Sequence, residues 1–131
     1  MPALDTNLLV RFLVGDDPAQ FALVKRFVEE AAEDDELFVP LTVSLELEWV
    51  LRSRYGFDAD TISTTYHRLL ETRELSFQDE ASLERALGLF DERLAGFADC
   101  LHLAIAMTGD RMPMTTFDRK AARMPGVSLL E

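Results

Sequence analysis

Short apolar runs bounded by turn residues alternate along the whole chain with longer helical patterns, and no other feature constrains the fold as much. Strands are expected at residues 2–4, 37–40, 74–77, 112–115 and 127–129. Helices are expected at 6–14, 18–32, 43–55, 59–72, 80–93, 99–108 and, briefly, 118–122. Pro18 suits a first helical turn, and Gly56 and Gly109 suit the position just past a last one. Strands joined by helical crossovers must run parallel, with helices covering the sheet. The fold class expected is therefore α/β, with a mainly parallel central sheet. Over 131 residues this is one domain, 1–131, large enough to hold a core without staples. No repeat or linker divides it, and AAEDDE (31–36) is expected as a solvated connection.

A single cysteine, Cys100, provides neither a disulfide framework nor a thiolate zinc site. The N-terminus lacks a secretory pattern and no apolar run reaches membrane length, so a cytoplasmic protein without membrane contact is expected. The net charge of −11 argues against strong non-specific attraction to nucleic acid, which rests on clustered Lys and Arg. All the positive side chains except Lys25 and Lys120 are arginines, the better bidentate partners of phosphate.

In a sheet of this kind ligands bind at the carboxyl ends of the strands. Asp5 directly follows the first strand, Asp118 follows MPMTT, and Asp99 begins the apolar helix FADCLHLAIAM. Each can equally be a helix cap. Glu46 lies inside a helix instead. Helical phasing of TVSLELEWVLRSR puts Glu48 outside with Arg52, four residues on, and Glu46 in a polar slot with Thr42 and Ser53, between Val43/Val50 and Leu45/Trp49. There it needs a positive partner, either an arginine or an ion, unless the side chain bends outward to water. Four acids from four segments would make a strongly negative pocket. Oxygen donors with Asn7 and a threonine nearby suit Mg²⁺ or Mn²⁺ rather than zinc, and such an ion suits phosphate chemistry. His102, one turn after Asp99, reads as a histidine at the edge of the core, His67 as a surface residue and Cys100 as a small core residue.

LDTNLLVRFL (4–13), TVSLELEWVLRSRYGF (42–57), FADCLHLAIA (97–106) and TTFDRKAAR (115–123), in this order, resemble the PIN-domain ribonucleases and, more narrowly, the VapC-type toxins of toxin–antitoxin pairs. The resemblance implies a three-layer α/β/α domain that hydrolyses single-stranded or looped RNA with Mg²⁺ or Mn²⁺. It implies that Asp5, Glu46, Asp99 and Asp118 hold the metal and activate water, with Asn7 and Thr116 assisting. It also implies a homodimer held inactive by a small antitoxin whose basic tail enters the acidic groove. Arg11, Arg52, Arg54 and Arg119 are candidates for positioning phosphate. A receiver-like signalling domain needs an acidic pair after the first strand and an Asp ending a central one, and neither LFVP nor ELSF supplies it. A catalytically silent module with the same acidic pocket remains the alternative.

Overall fold

The computed structural model describes residues 1–131, apart from the side chains of Ala32 and Asp34. The chain divides into two compact units, Met1–Gln78 and Asp79–Glu131.

In the first unit, β1 (Leu37–Val39) and β2 (Leu75–Phe77) run parallel, Leu37 opposite Leu75 and Val39 opposite Phe77. These four apolar residues are buried while the residue between each pair is half-buried, the period-2 signature of a strand with one covered face. Ala3 pairs with Phe38 as a single parallel bridge, through Leu4 N–H to Phe38 O at 2.8 Å and Phe38 N–H to Pro2 O at 2.7 Å. The expected strand 2–4 stops there because Asp5 already caps a helix. That helix, α1 (Thr6–Val14), begins with Asp5 Oδ1 accepting Leu8 N–H and ends at Gly15, whose φ of 65° lies in the left-handed region glycine tolerates.

Asp17 and Pro18 start α2 (Pro18–Asp34) in the same manner. The helix runs on through most of AAEDDE, so that segment is not the free connection its charge suggested. Helix α3 (Leu41–Tyr55) starts at Pro40 without a side-chain cap from its own segment. Gln78 Oε1, just past β2, accepts the Leu41 N–H at 2.8 Å instead. Gly56, at φ 68°, ends α3 as expected, and Asp58 caps α4 (Ala59–Leu70). Leu4, Leu9, Leu37, Val39, Leu47, Leu51, Ile62 and Tyr66 form the core, each at most 2% exposed. Burying a side chain of this size contributes roughly 1.5–3 kcal/mol.

In the second unit, α5 (Glu80–Asp91) and α6 (Phe97–Thr108) form a helical hairpin. Leu83, Ala86, Leu87 and Phe90 on α5, and Phe97, Cys100, Leu101, Leu103 and Ala104 on α6, are buried at the 3–4 spacing of amphipathic faces. Phe90 and Phe97 meet edge to face at 5.8 Å, and the Arg93 guanidinium lies 5.5 Å from the Phe90 ring centre. Strands β3 (Met114–Thr116) and β4 (Val127–Leu129) pair in parallel, Met114 opposite Val127. A short 3₁₀ turn, Ala121–Arg123, joins them where a helix over 118–122 was expected. Gly109 ends α6 with an ordinary φ of −85°, and the left-handed residue is Asp110, at 54°. Every strand pairing among the described residues is parallel, as the alternating pattern requires. No described helix is long and apolar enough to cross a membrane.

Candidate active site

The chain leaves the sheet at buried Leu4 and turns at once into α1, which fixes Asp5, Thr6 and Asn7 in successive directions. Asp5 is exposed, and its Oδ1 is engaged by the cap. Among the described residues its Oδ2 has no protein partner. Thr6, the first helical residue, is buried at 6% exposure, and its Oγ1 donates a hydrogen bond to Glu46 Oε1. A contact spanning 40 positions thus brings the Glu46 carboxylate beside the residue that follows Asp5. Asn7 lines an open cleft of about 520 Å³ together with Arg11, Gln20, Leu23 and Arg54.

The expected phase of α3 is wrong in one respect that matters. Glu48 is not the outward glutamate: its side chain is 6% exposed, and Oε2 accepts from Arg52 Nε at 2.8 Å. Glu46 is the exposed one. It does not sit in a closed slot, since Trp49 on one side of it is itself 52% exposed. The charged pair Glu48–Arg52 was read correctly as a pair, but pairing at i, i+4 does not say which partner faces the core. Ser44, Leu47, Glu48, Val50 and Leu51 are the buried residues of α3.

In the second unit Asp99 occupies the first turn of α6, which starts two residues earlier than expected, at Phe97, with Gly96 as its N-cap and no side-chain cap. The capping explanation for Asp99 therefore fails. Its half-buried carboxylate makes no hydrogen bond or ion pair among the described residues, although it complements the positive end of the helix. Next to it, burial, aided by the Asp99 charge, pushes the Cys100 thiol up to about 11. His102 is exposed rather than set into the core edge. Asp118 is a cap: Oδ1 accepts from Lys120 N at 2.8 Å and Ala121 N at 3.2 Å, while its own N–H donates to Thr116 Oγ1 at 3.0 Å. Both Asp5 and Asp118 cap through Oδ1 and keep Oδ2 outside the cap.

The four candidate arginines differ in freedom. Arg11 Nη1 meets Asp16 at 3.0 Å and the Tyr55 hydroxyl at 3.2 Å, and its Nε meets Gln20 at 2.6 Å. Arg52 belongs to Glu48, and Arg119 lies 3.8 Å from Glu131. Arg54 has no partner among the described residues. Two features escaped sequence reasoning, Thr6 as the holder of Glu46 and the Arg11–Asp16–Tyr55 cluster. A β-branched hydroxyl at the first helical position, next to an apolar strand, was the only signal for the former.

Among the described residues no three or more His, Cys, Asp or Glu side chains gather as a ready-made metal cage. Among the described residues, Asp5 Oδ2 in the first unit and the Asp99 carboxylate in the second are each free of protein partners. Carboxylate oxygens of this kind suit a hard divalent ion that retains much of its water rather than zinc.

Residues 3–127 match the PIN domain family. The chain is also similar to a VapC ribonuclease of Aquifex aeolicus (strain VF5), 25% identical over 124 residues that cover 95% of this chain and 92% of that protein.

Proposed function

Because the chain belongs to the PIN domain family, we propose that it is a Mg²⁺- or Mn²⁺-dependent endoribonuclease, the toxin of a toxin–antitoxin pair. The name of its Aquifex relative supports the substrate. The contact that carries the reading is Thr6 to Glu46, which ties an interior helical carboxylate to the segment bearing Asp5.

In this reading Asp5, Glu46, Asp99 and Asp118 hold the ion, and Asn7 and Thr116 assist. A divalent ion bound there would supply charge neutralisation at the phosphodiester and ease the deprotonation of an attacking water. The chain's own residues do the positioning. Asp5 is immobilised through Oδ1, which leaves Oδ2 directed by the cap. Thr6 fixes the Glu46 rotamer, and Thr116 Oγ1 fixes the turn that carries Asp118. Arg54, uncommitted and lining the cleft with Asn7, is the arginine best suited to a substrate phosphate.

The partners proposed are single-stranded or looped RNA, a second copy of the chain, and a small cytoplasmic antitoxin with a basic tail. A net charge of −11 favours the basic tail electrostatically. Cleavage of a looped RNA in Mn²⁺ and in EDTA, with Asp5→Asn alongside, tests the reading. Cleavage that needs Mn²⁺ and falls at least about a hundredfold in the variant is expected. Cleavage indifferent to EDTA or to Asp5→Asn overturns it.

A further inference from the structure

A protein of net charge −11 that acts on RNA has an affinity problem, because phosphate binding ordinarily comes from free cations. Arg11, Arg52 and Arg119 already face the carboxylates of Asp16, Glu48 and Glu131. Of the four candidate arginines that leaves Arg54 alone without a partner among the described residues, and a contact that does not depend on charge would add to what it supplies.

Each unit presents one. Trp49 lies one turn after Glu46 on α3, on the same face of the helix, and is 52% exposed. Phe117 lies between Thr116 and Asp118 and is 78% exposed, the most exposed of the large apolar side chains described. Neither ring packs on another aromatic or under a cation among the described residues. Phe117 is not carried on a loose loop: the Thr116 Oγ1 contact at 3.0 Å and the two Asp118 Oδ1 contacts pin the backbone on either side of it. An exposed aromatic ring beside a candidate site carboxylate is a surface on which an unpaired base can stack, and such stacking is sequence-tolerant because every base has a π face.

We propose that Trp49 and Phe117 are stacking platforms for unpaired bases of the RNA substrate, one beside Glu46 and one beside Asp118. The proposal rests on the ribonuclease reading and deepens it. It makes the substrate a strand with free base faces, because a duplex offers none along its length. Both residues position substrate and take no part in the chemistry.

Trp49 is the only tryptophan in the chain, so its emission reports stacking directly. In EDTA, where the strand stays intact, a labelled ten-nucleotide oligoribonucleotide should quench that emission saturably. The same strand annealed to its complement should not. Trp49→Leu and Phe117→Leu should each weaken binding of the single strand, read by anisotropy, about five- to a hundredfold. In Mn²⁺ they should raise KM while kcat stays within a few fold. Trp49→Phe and Phe117→Tyr, which restore a π face, should recover most of the loss, an outcome that a purely apolar contact would not give. Circular dichroism of each variant separates loss of binding from loss of fold, and the aromatic replacements carry the test if a leucine variant misfolds.

Parental KM in both leucine variants of an enzyme that cuts RNA overturns the stacking proposal alone. So does a blue shift of Trp49 emission with protein concentration in the absence of RNA, which assigns that face to a second copy. Leucine variants that bind RNA normally but lose a basic-tailed protein partner also overturn it, in favour of protein docking. A parent protein that neither binds nor cuts RNA overturns both readings.

Discussion

The Thr6 hydroxyl holds the Glu46 carboxylate, and because Thr6 is buried while Glu46 is exposed, the donor is fixed and the acceptor takes its orientation from it. Thr6→Val keeps the shape of the side chain and removes the donor. Asp5 continues to cap α1, so the helix should survive. Metal-dependent RNA cleavage should fall about tenfold or more, the range for losing a group that orients a ligand. Thr6→Ser, which keeps the hydroxyl, should stay within a few fold of the parent. Single-turnover rates in Mn²⁺ check both, and parental cleavage in Thr6→Val would show that the hydrogen bond does not matter.

A second expectation concerns Asp99, which is half-buried, without a hydrogen bond or ion pair among the described residues, and not needed to cap α6. A ligand that binds only the folded state raises stability, by about 2.7 kcal/mol at a hundred times its Kd. Titration with Mn²⁺ should therefore raise the parental melting temperature by several degrees. Asp99→Asn should flatten that response. A parental Tm indifferent to both Mn²⁺ and Mg²⁺ would remove the carboxylates from any metal-holding role.

At alkaline pH two buried groups act together. Burial, with the negative charge of Glu48 second, holds the Tyr66 hydroxyl well above its ordinary range, and burial raises the Cys100 thiol to about 11. Both are neutral in the folded chain and ionise more readily once unfolded. Their contribution is thus fully present below the unfolded values and is lost as pH rises through the folded ones. Melting temperature should fall from about pH 8.5 upward, and more steeply above about pH 10. Cys100→Ala should abolish the portion between about pH 8.5 and 10 and keep the steeper fall. Thermal melts across this range decide it; a parental curve flat to pH 11 would contradict the burial account.

How far the sequence revealed this arrangement depended on whether a residue's role was set locally. Pro18 and Gly56 mark helix ends through their own backbone chemistry, and the structure has them there. Gly109 fails because Asp110 takes the left-handed turn instead. Asp99 has the sequence signature of a cap because apolar Phe97 and Ala98 give no start signal and Gly96 caps α6 without a side chain. The phase of α3 was ambiguous because apolar residues occur all around it. Its core stripe includes Ser44 and Glu48, residues that periodicity counts as outward. The Thr6–Glu46 contact was invisible for a different reason: it depends on how two distant segments meet in three dimensions.

The two glutamates of α3 provide the sharpest test, because they share a helix and a charge but have opposite surroundings. Glu48 is 6% exposed and accepts from Arg52 Nε at 2.8 Å, while Arg52 itself is 55% exposed and can turn to water. Glu48→Gln replaces an ion-paired hydrogen bond by one from the charged guanidinium to a neutral amide oxygen, which costs roughly 0.5–1.5 kcal/mol. Solvent screening at the arginine keeps the loss below that of a fully buried pair. Melting temperature should fall by about 2–6 °C, and RNA cleavage should stay within a few fold of the parent. Glu46→Gln keeps an oxygen for Thr6 on an exposed side chain, so stability should change by less than about 0.5 kcal/mol. Its carboxylate charge is gone, and cleavage in Mn²⁺ should fall about a hundredfold. Melting curves and single-turnover rates on the same two preparations give four numbers, expected to cross: one variant stable and inactive, the other active and less stable. Loss of activity at Glu48 with activity retained at Glu46 would mean that the buried glutamate, and not the one Thr6 holds, serves the chemistry.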